Sequence, residues 1–146
     1  MWDSDGGIMW KDSYAIGVEL IDTQHKALFN NVTEGLLLSI QAPDIYRHKQ
    51  YCINTISFLK SYVVQHFKDE EAYALSIRFP GYEEHKQQHV NLAQEVFEYE
   101  KQLTKSNFSL HVIKRFMAFA LRWLMHHVAV EDGKLKHNSA NVTISA

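Results

Sequence analysis

The chain has 146 residues, of which 46% are hydrophobic and 22% charged, and its formal net charge is -2. This length predicts one domain over residues 1–146, and the lack of a basic surplus argues against a nucleic-acid partner. A single cysteine, no signal-peptide pattern and no stretch long enough to span a membrane lead us to expect a cytoplasmic protein that does not bind membranes.

Two long helices are predicted in the first half of the chain, after an irregular N-terminal arm over residues 1–20. The first helix begins with Asp22 as its N-cap, carries apolar residues at helical spacing and ends before Pro43. The second covers about residues 44–77 and stops before a proline–glycine pair. Each of these helices carries histidine on its apolar stripe.

Two further helices are predicted in the second half. In the third, seven residues follow alternating steps of three and four, the spacing of a helix packed in a bundle. These positions are Tyr82, His85, His89, Leu92, Val96, Tyr99 and Leu103. The fourth helix is expected to open near Ser106 or Asn107 and to run toward Gly133 as its C-cap. Residues 136–146 form a tail to which we assign no role.

Four amphipathic helices with short connections predict an all-α fold, an up-down-up-down antiparallel four-helix bundle over about residues 21–135. Antiparallel alternation brings the starts of helices one and three to the same end as the finishes of two and four. Histidines and carboxylates occupy core positions at all four places: His25, His66, Glu70, His85, His89, His127 and Asp132. Burying these groups without partners would be unfavourable, so the pattern predicts one layer of metal ligands.

Spacing alone does not decide every member of this series. Any single histidine is equally compatible with an ordinary core position, and the gathering of five at one level is what favours a metal site. On the fourth helix, His127 follows the apolar face and His126 does not. Five residues carry a helix well past one face, which leaves Glu131 and Asp132 as alternatives. A distortion at the end of the helix would admit Asp132.

The candidate ligands stand in stretches that resemble the hemerythrins, most closely those of bacteria, over roughly residues 10–135. The matching stretches are Ile16-Gly17-Val18, Ile21-Asp22-Thr23-Gln24-His25, His66-Phe67-Lys68-Asp69-Glu70-Glu71, Phe79-Pro80-Gly81 with Glu84-His85 and His89, and Trp123-Leu124 with His127 and Asp132. All seven ligand positions of that family carry the expected residue type. The family spacing on the last helix selects Asp132 over Glu131.

The resemblance implies a non-haem centre of two iron ions with an oxo or hydroxo bridge. It assigns His85, His89 and His127 to one iron, and His25 and His66 to the other. Glu70 and Asp132 would bridge both, which leaves the iron with two histidines an open position for an external ligand. Five residues adjacent to the ligands or one turn away are candidates for an apolar pocket: Leu28, Phe67, Trp123, Leu124 and Val128.

By the same resemblance we expect reversible dioxygen binding, for storage or delivery, by a monomer that is not an enzyme. One alternative is a module that senses oxygen, nitric oxide or redox state through a protein partner that the sequence does not identify. Another is a small di-iron enzyme. The chain lacks the Glu-x-x-His pairs of carboxylate-rich di-iron proteins and the His-Glu-x-x-His of zinc proteases, which favours binding over catalysis.

Overall fold

The computed structural model describes residues 10–136; the outer part of the predicted arm, residues 1–9, and the tail after residue 136 lie outside this range. The described chain forms four helices: α1 (Glu19–Gln41), α2 (Ile45–Ser76), α3 (Tyr82–Lys105) and α4 (Leu110–His126). A 3₁₀ turn at Asp12–Tyr14 precedes α1, and a π-helical turn at His127–Glu131 follows α4. No strand occurs between residues 10 and 136, and the all-α prediction is confirmed.

The helices form a closed ring in chain order. Helix α1 packs against α2 and α4, and α3 packs against the same two. Because the connections between consecutive helices are short, neighbours run antiparallel, which confirms the up-down-up-down bundle. Gly35 permits close packing of α1 on α2, since a Cβ at this position would collide with the hydroxyl of Thr55. None of the helices within the described range is both long and apolar enough to cross a membrane.

The prediction that Asp22 caps the first helix is wrong. Helix α1 begins at Glu19, which places Asp22 in its first turn. The Asp22 carboxylate instead accepts hydrogen bonds from the backbone N–H groups of Ile16, at 2.8 Å, and Gly17, at 3.1 Å. The side chain that looked like a cap therefore fixes the end of the N-terminal arm against the helix. The carboxylate of Asp22 accepts from residues outside α1, and the periodicity of the sequence does not reveal such a contact.

Helix α4 also begins later than predicted, because α3 ends in a Schellman motif. Ser106 caps α3, and both Asn107 and Phe108 adopt the left-handed conformation, with φ of 55° and 58°. The N–H of Phe108 donates to the carbonyl of Leu103, at 2.6 Å, and the Phe108 side chain is buried in the core. Only after this reversal does Ser109 cap α4.

At its far end α4 distorts as expected but does not stop. The N–H of Asp132 donates to the carbonyl of His127, at 2.7 Å, five residues earlier, which is the hydrogen bond of a π-helical turn. The prediction that Gly133 is a C-cap is wrong, because the chain is helical again over residues 133–136 and Gly133 stays outside the left-handed region.

Two apolar clusters fill the bundle. The larger includes Phe29, Leu36, Leu103, Ile113 and Phe116, all fully buried. The smaller consists of Ile16, Ile21, Ala74, Ile77 and Leu135 and lies at the end of the bundle where α2 gives way to α3. On α1 and α2 the candidate ligands fall between buried residues of these two clusters. On α3 they follow Tyr82, which packs against the smaller cluster, and precede Leu92 of the larger one. The clusters therefore enclose one level of the bundle from both sides.

Candidate metal centre

Seven side chains converge between the apolar clusters, and each exposes at most 3% of its surface. We call them the polar layer: His25 on α1, His66 and Glu70 on α2, His85 and His89 on α3, and His127 and Asp132 at either end of the π-helical turn. The structure thus brings together all seven side chains that the sequence analysis proposed as ligands, from all four helices and at one level.

Glu70 lies at the middle of the polar layer and faces two groups of histidines. Its Oε1 is 2.8 Å from Nε2 of His85 and 3.0 Å from Nε2 of His89. Its Oε2 is 2.9 Å from Nε2 of His25 and 3.5 Å from Nε2 of His66. One carboxylate therefore presents one oxygen to each group.

Asp132 repeats this division from the opposite side. Its Oδ1 lies 3.0 Å from Nε2 of His127 and 3.1 Å from Nε2 of His85, whereas its Oδ2 lies 3.0 Å from Nε2 of His25. Together the two carboxylates belong to two overlapping sets of mutually close ligand atoms. One set contains three histidines and the other contains two, and both contain Glu70 and Asp132.

The neighbouring acid and histidine on the last helix are directed elsewhere. The His126 side chain is 69% exposed and lies 3.4 Å from Glu131. Glu131 also accepts from Gln88, at 2.9 Å, and from Lys134, at 3.1 Å. The geometry therefore separates Asp132 from Glu131, as the family spacing predicted, because the π-helical turn rotates Asp132 inward.

The polar layer fits a cation better than it fits a set of hydrogen bonds. Both oxygens of Asp132 are buried and make no hydrogen bond within the described chain, although imidazole nitrogens approach them closely. The Nε2 atoms of His89 and His127 are only 3.2 Å apart. Converging imidazole nitrogens and carboxylate oxygens without a cation would be unfavourable in a buried site. Imidazole and carboxylate donors suit a divalent transition metal such as iron.

Proton affinities in the layer also reflect its concentrated negative charge. Burial lowers the pKa of His25, His85 and His127, but Asp132 and Glu70 outweigh it and raise these pKa values to about 9, about 10 and about 9. At His66 burial prevails over the charge of Glu70, and the pKa falls to about 4. Burial opposes ionisation of Glu70 and Asp132, yet the surrounding histidines hold both carboxyl pKa values below their usual range.

The polar layer has supporting residues that the sequence analysis missed. Nδ1 of His66 donates to the amide oxygen of Gln24, at 2.8 Å, and the amide nitrogen of Gln24 donates to Asp69, at 2.8 Å. Nδ1 of His89 donates to Glu71, at 2.7 Å. Each of these three residues stands beside a ligand in the sequence, and Gln24 is a buried polar residue on α1. Adjacency to a candidate ligand is the only sequence signal of these residues, because they lie off the apolar stripes of their helices.

The five predicted pocket residues do not line a single cavity. Leu28, Trp123 and Leu124 contribute to a small apolar void of about 10 Å³, enough for one water-sized molecule. Phe67 is stacked on the His89 ring, with centroids 3.8 Å apart, and Trp123 is stacked on the His127 ring at 4.3 Å. Val128 is buried in the larger cluster. Two of the aromatic side chains therefore hold candidate ligand rings in place.

Known proteins are similar to the part of this chain that forms the helical bundle. The family model described as Hemerythrin HHE cation binding domain matches residues 16–137. Bacteriohemerythrin from Clostridium acetobutylicum is 25% identical over 124 residues, covering 85% of this chain and 95% of that protein. Myohemerythrin from Riftia pachyptila is 25% identical over 130 residues, covering 89% and 92%. Hemerythrin subunit alpha from Lingula reevii is 24% identical over 127 residues, covering 87% and 91%.

The family model spans most of the chain, and the fold and polar layer agree with it. The resemblance proposed from the sequence is confirmed. The chain therefore belongs to the hemerythrin family, whose domains bind iron and dioxygen in a four-helix bundle.

Proposed function

We propose that this chain binds two iron ions in the polar layer and takes up dioxygen reversibly, for storage or delivery. The observation that carries the proposal is the division of both carboxylates between two unequal groups of histidines. His85, His89 and His127 would hold one ion and His25 and His66 the other, and Glu70 and Asp132 belong to both sets of candidate ligands. The second set offers one protein donor fewer than the first, so an ion held there would have room for a small external ligand.

Two ferrous ions, when bound, supply the two electrons that reversible dioxygen uptake requires. The protein contributes a fixed, dry environment. The apolar clusters on both sides of the polar layer exclude water and stray protons, which would otherwise promote irreversible oxidation. Phe67 and Trp123 restrict the His89 and His127 rings by stacking. The apolar void beside Leu28 and Leu124 suits a small uncharged molecule better than an ion.

This arrangement favours binding over catalysis, because every titratable side chain in the polar layer can serve as a metal ligand, which would leave none of them as a nucleophile or general base. We therefore propose a carrier that is not an enzyme. A monomeric state and a cytoplasmic location stay predictions.

The test is an anaerobic reconstitution followed by oxygen cycling. Protein loaded with ferrous iron should contain two irons per chain, and its visible charge-transfer bands should appear on adding oxygen and disappear on removing it, over repeated cycles. Rapid irreversible oxidation would instead favour sensing through a partner or a small di-iron enzyme. A stoichiometry below two irons per chain would contradict the proposal.

A further inference from the structure

Three of the polar-layer histidines differ in the hydrogen-bond acceptor of their Nδ1 atom. Nδ1 of His89 donates directly to the carboxylate of Glu71, at 2.7 Å. Nδ1 of His66 donates to a neutral amide, that of Gln24, at 2.8 Å. Nδ1 of His25 is buried and has no hydrogen-bond partner among residues 10–136. The three rings thus have a charged acceptor, a neutral acceptor and none.

The orientation of the Gln24 amide is dictated by a chain of hydrogen bonds. Both oxygens of Asp69 are occupied, Oδ1 by the amide nitrogen of Gln65, at 2.9 Å, and Oδ2 by that of Gln24, at 2.8 Å. An ionised carboxylate only accepts, so Gln24 must turn its nitrogen to Asp69 and its oxygen to His66. His66 then carries its proton on Nδ1 and presents the lone pair of Nε2 to the centre of the layer.

Glu71 fixes His89 in the same tautomer but with a full negative charge. The ring is also held from its face by Phe67, whose plane is tilted only 1° from it. Hydrogen bonding of a ligand imidazole to a carboxylate raises its basicity and strengthens its bond to a metal, and loss of such a partner costs about 10–100-fold in affinity. An amide acceptor orients the ring without supplying charge.

These contacts divide unequally between the two groups of histidines. The group of three includes His89, which is backed by a carboxylate, whereas the group of two consists of His66, backed by an amide, and His25, whose Nδ1 has no partner within the described chain. We propose that Glu71 and Gln24 are positioning residues that make the two metal positions unequal, so that the three-histidine position holds its ion more tightly. This inference rests on the proposed binding of two metal ions.

The acceptors of the two Nδ1 atoms, Glu71 and Gln24, can be exchanged between carboxylate and amide with little change in side-chain shape. Glu71→Gln replaces the carboxylate behind His89 by an amide. Gln24→Glu alone would set two carboxylates against each other, but the double variant Gln24→Glu/Asp69→Asn keeps the net charge and the hydrogen-bond pattern. In that double variant the asparagine donates to the new glutamate and still accepts from Gln65. The carboxylate has simply moved next to His66.

The experiment is a competitive titration of the metal-free full chain with Co²⁺ against a chelator, following the visible Co²⁺ bands. Wild type should bind two ions in two distinguishable steps. Glu71→Gln should weaken the tighter step by about 10–100-fold, and Gln24→Glu/Asp69→Asn should strengthen the weaker step by about tenfold. Each variant should also shift the bands of the affected ion, which a loss of stability elsewhere would not do.

Glu84→Gln is the matched control, because it removes an exposed carboxylate next to a candidate ligand without touching a ligand Nδ1, and it should leave both steps unchanged. Two bound ions with step constants within twofold of wild type in both test variants would overturn the inference and leave the proposed function standing. A wild-type chain that binds no Co²⁺ would overturn both. The two variants change different positions, so either one tests the proposal if the other fails to fold.

Discussion

Two layers of this bundle are built from the same four helices but are stabilised in opposite ways. The polar layer contains five histidines and two carboxylates. The apolar layer contains fully buried side chains that pack in one cluster, and we define it as Leu36, Cys52, Leu103, Ile113 and Phe116. Leu36 follows His25 by eleven residues, or about 16 Å along α1. Burial favours the neutral form of an ionisable side chain, and it raises the pKa of the Cys52 thiol to about 12. At His25 burial lowers the pKa, but the carboxylates of Asp132 and Glu70 outweigh it and raise the pKa to about 9.

The difference teaches that folding and binding are separable in this chain. The apolar layer is favourable with no ligand, because its side chains need only one another. The polar layer brings like charges and lone pairs together, and it is favourable only when protons or cations lie between them. A substitution in the apolar layer should therefore leave metal binding by the folded chain largely intact.

The largest expected effect is the loss of metal from Glu70→Ala. Glu70 is the residue on α2 whose two oxygens face both groups of histidines, so its removal takes a donor from each ion. We expect at least one of the two irons to be lost, measured as iron per folded chain after anaerobic reconstitution.

His126→Ala is the control for this prediction, because its side chain is 69% exposed and points away from the polar layer. It should retain both irons. Retention of two irons by Glu70→Ala, or loss of iron from His126→Ala, would show that the ligand set is assigned incorrectly.

The matching change in the apolar layer is Phe116→Ala. Phe116 is fully buried and packs against Tyr99, with ring centroids 5.5 Å apart. Its truncation should lower the free energy of unfolding by about 3–5 kcal/mol, measured by urea denaturation. At temperatures where the variant is folded it should still bind two irons per chain. Loss of iron from the folded variant would mean that the two layers are coupled.

The pH dependence of the metal-free chain offers a finer comparison. Histidines with raised pKa values stabilise the folded state fully below their unfolded pKa of 6.5, and this contribution is lost as the pH rises through about 9 to 10. We expect the free energy of unfolding of the metal-free chain to fall between pH 7 and pH 10.

Metal binding should follow the opposite trend over the same range, because an ion displaces those protons and is favoured as they become fewer. Urea denaturation of the metal-free chain, beside Co²⁺ titration at each pH, measures both. A metal-free stability that is flat or increases over this range would contradict the assignment of protonated histidines to the polar layer.

The smallest expected effect comes from a helix end remote from the polar layer. The Asp44 carboxylate accepts from the N–H of Arg47, at 2.8 Å, and caps α2. Asp44→Ala should lower the free energy of unfolding by about 1 kcal/mol and leave iron binding unchanged. The matched Ser109→Ala, which removes the cap of α4, should behave alike in the same urea experiment. An altered iron content in either would break the separation of the two layers.

The bundle and the histidines and Glu70 of the polar layer were predictable because they follow from repeated spacing, whereas Asp132 was selected over Glu131 only by the family resemblance. Histidine at positions such as 66, 85 and 89 interrupts an apolar stripe, and the stripe itself defines the inward face. The start of the second helix was also predicted correctly, and the structure shows that Asp44 caps it. These features depend on residues within one or two turns of each other.

The errors occurred where distant contacts or backbone reversals decide the outcome. Asp22 resembles a cap in sequence, but its carboxylate binds the arm before the helix. The left-handed pair Asn107 and Phe108 delays α4 because Phe108 gains burial by reversing the chain. Gln24 and Glu71 escaped notice because their hydrogen bonds reach ligand rings from the side, outside the apolar stripe.

The π-helical turn also decides which carboxylate lies above His127. An α-helix would place the residue four positions after His127, which is Glu131, above it; the extra residue in the turn gives that place to Asp132. A deletion of one residue between His127 and Asp132 would restore regular α-helical hydrogen bonding and leave the aspartate four positions after His127, in the place that it holds now. The spacing of five residues from His127 to Asp132 therefore depends on the π-helical turn. Without the turn and with no residue removed, Glu131 would lie above His127, and Asp132 would be turned away from the polar layer.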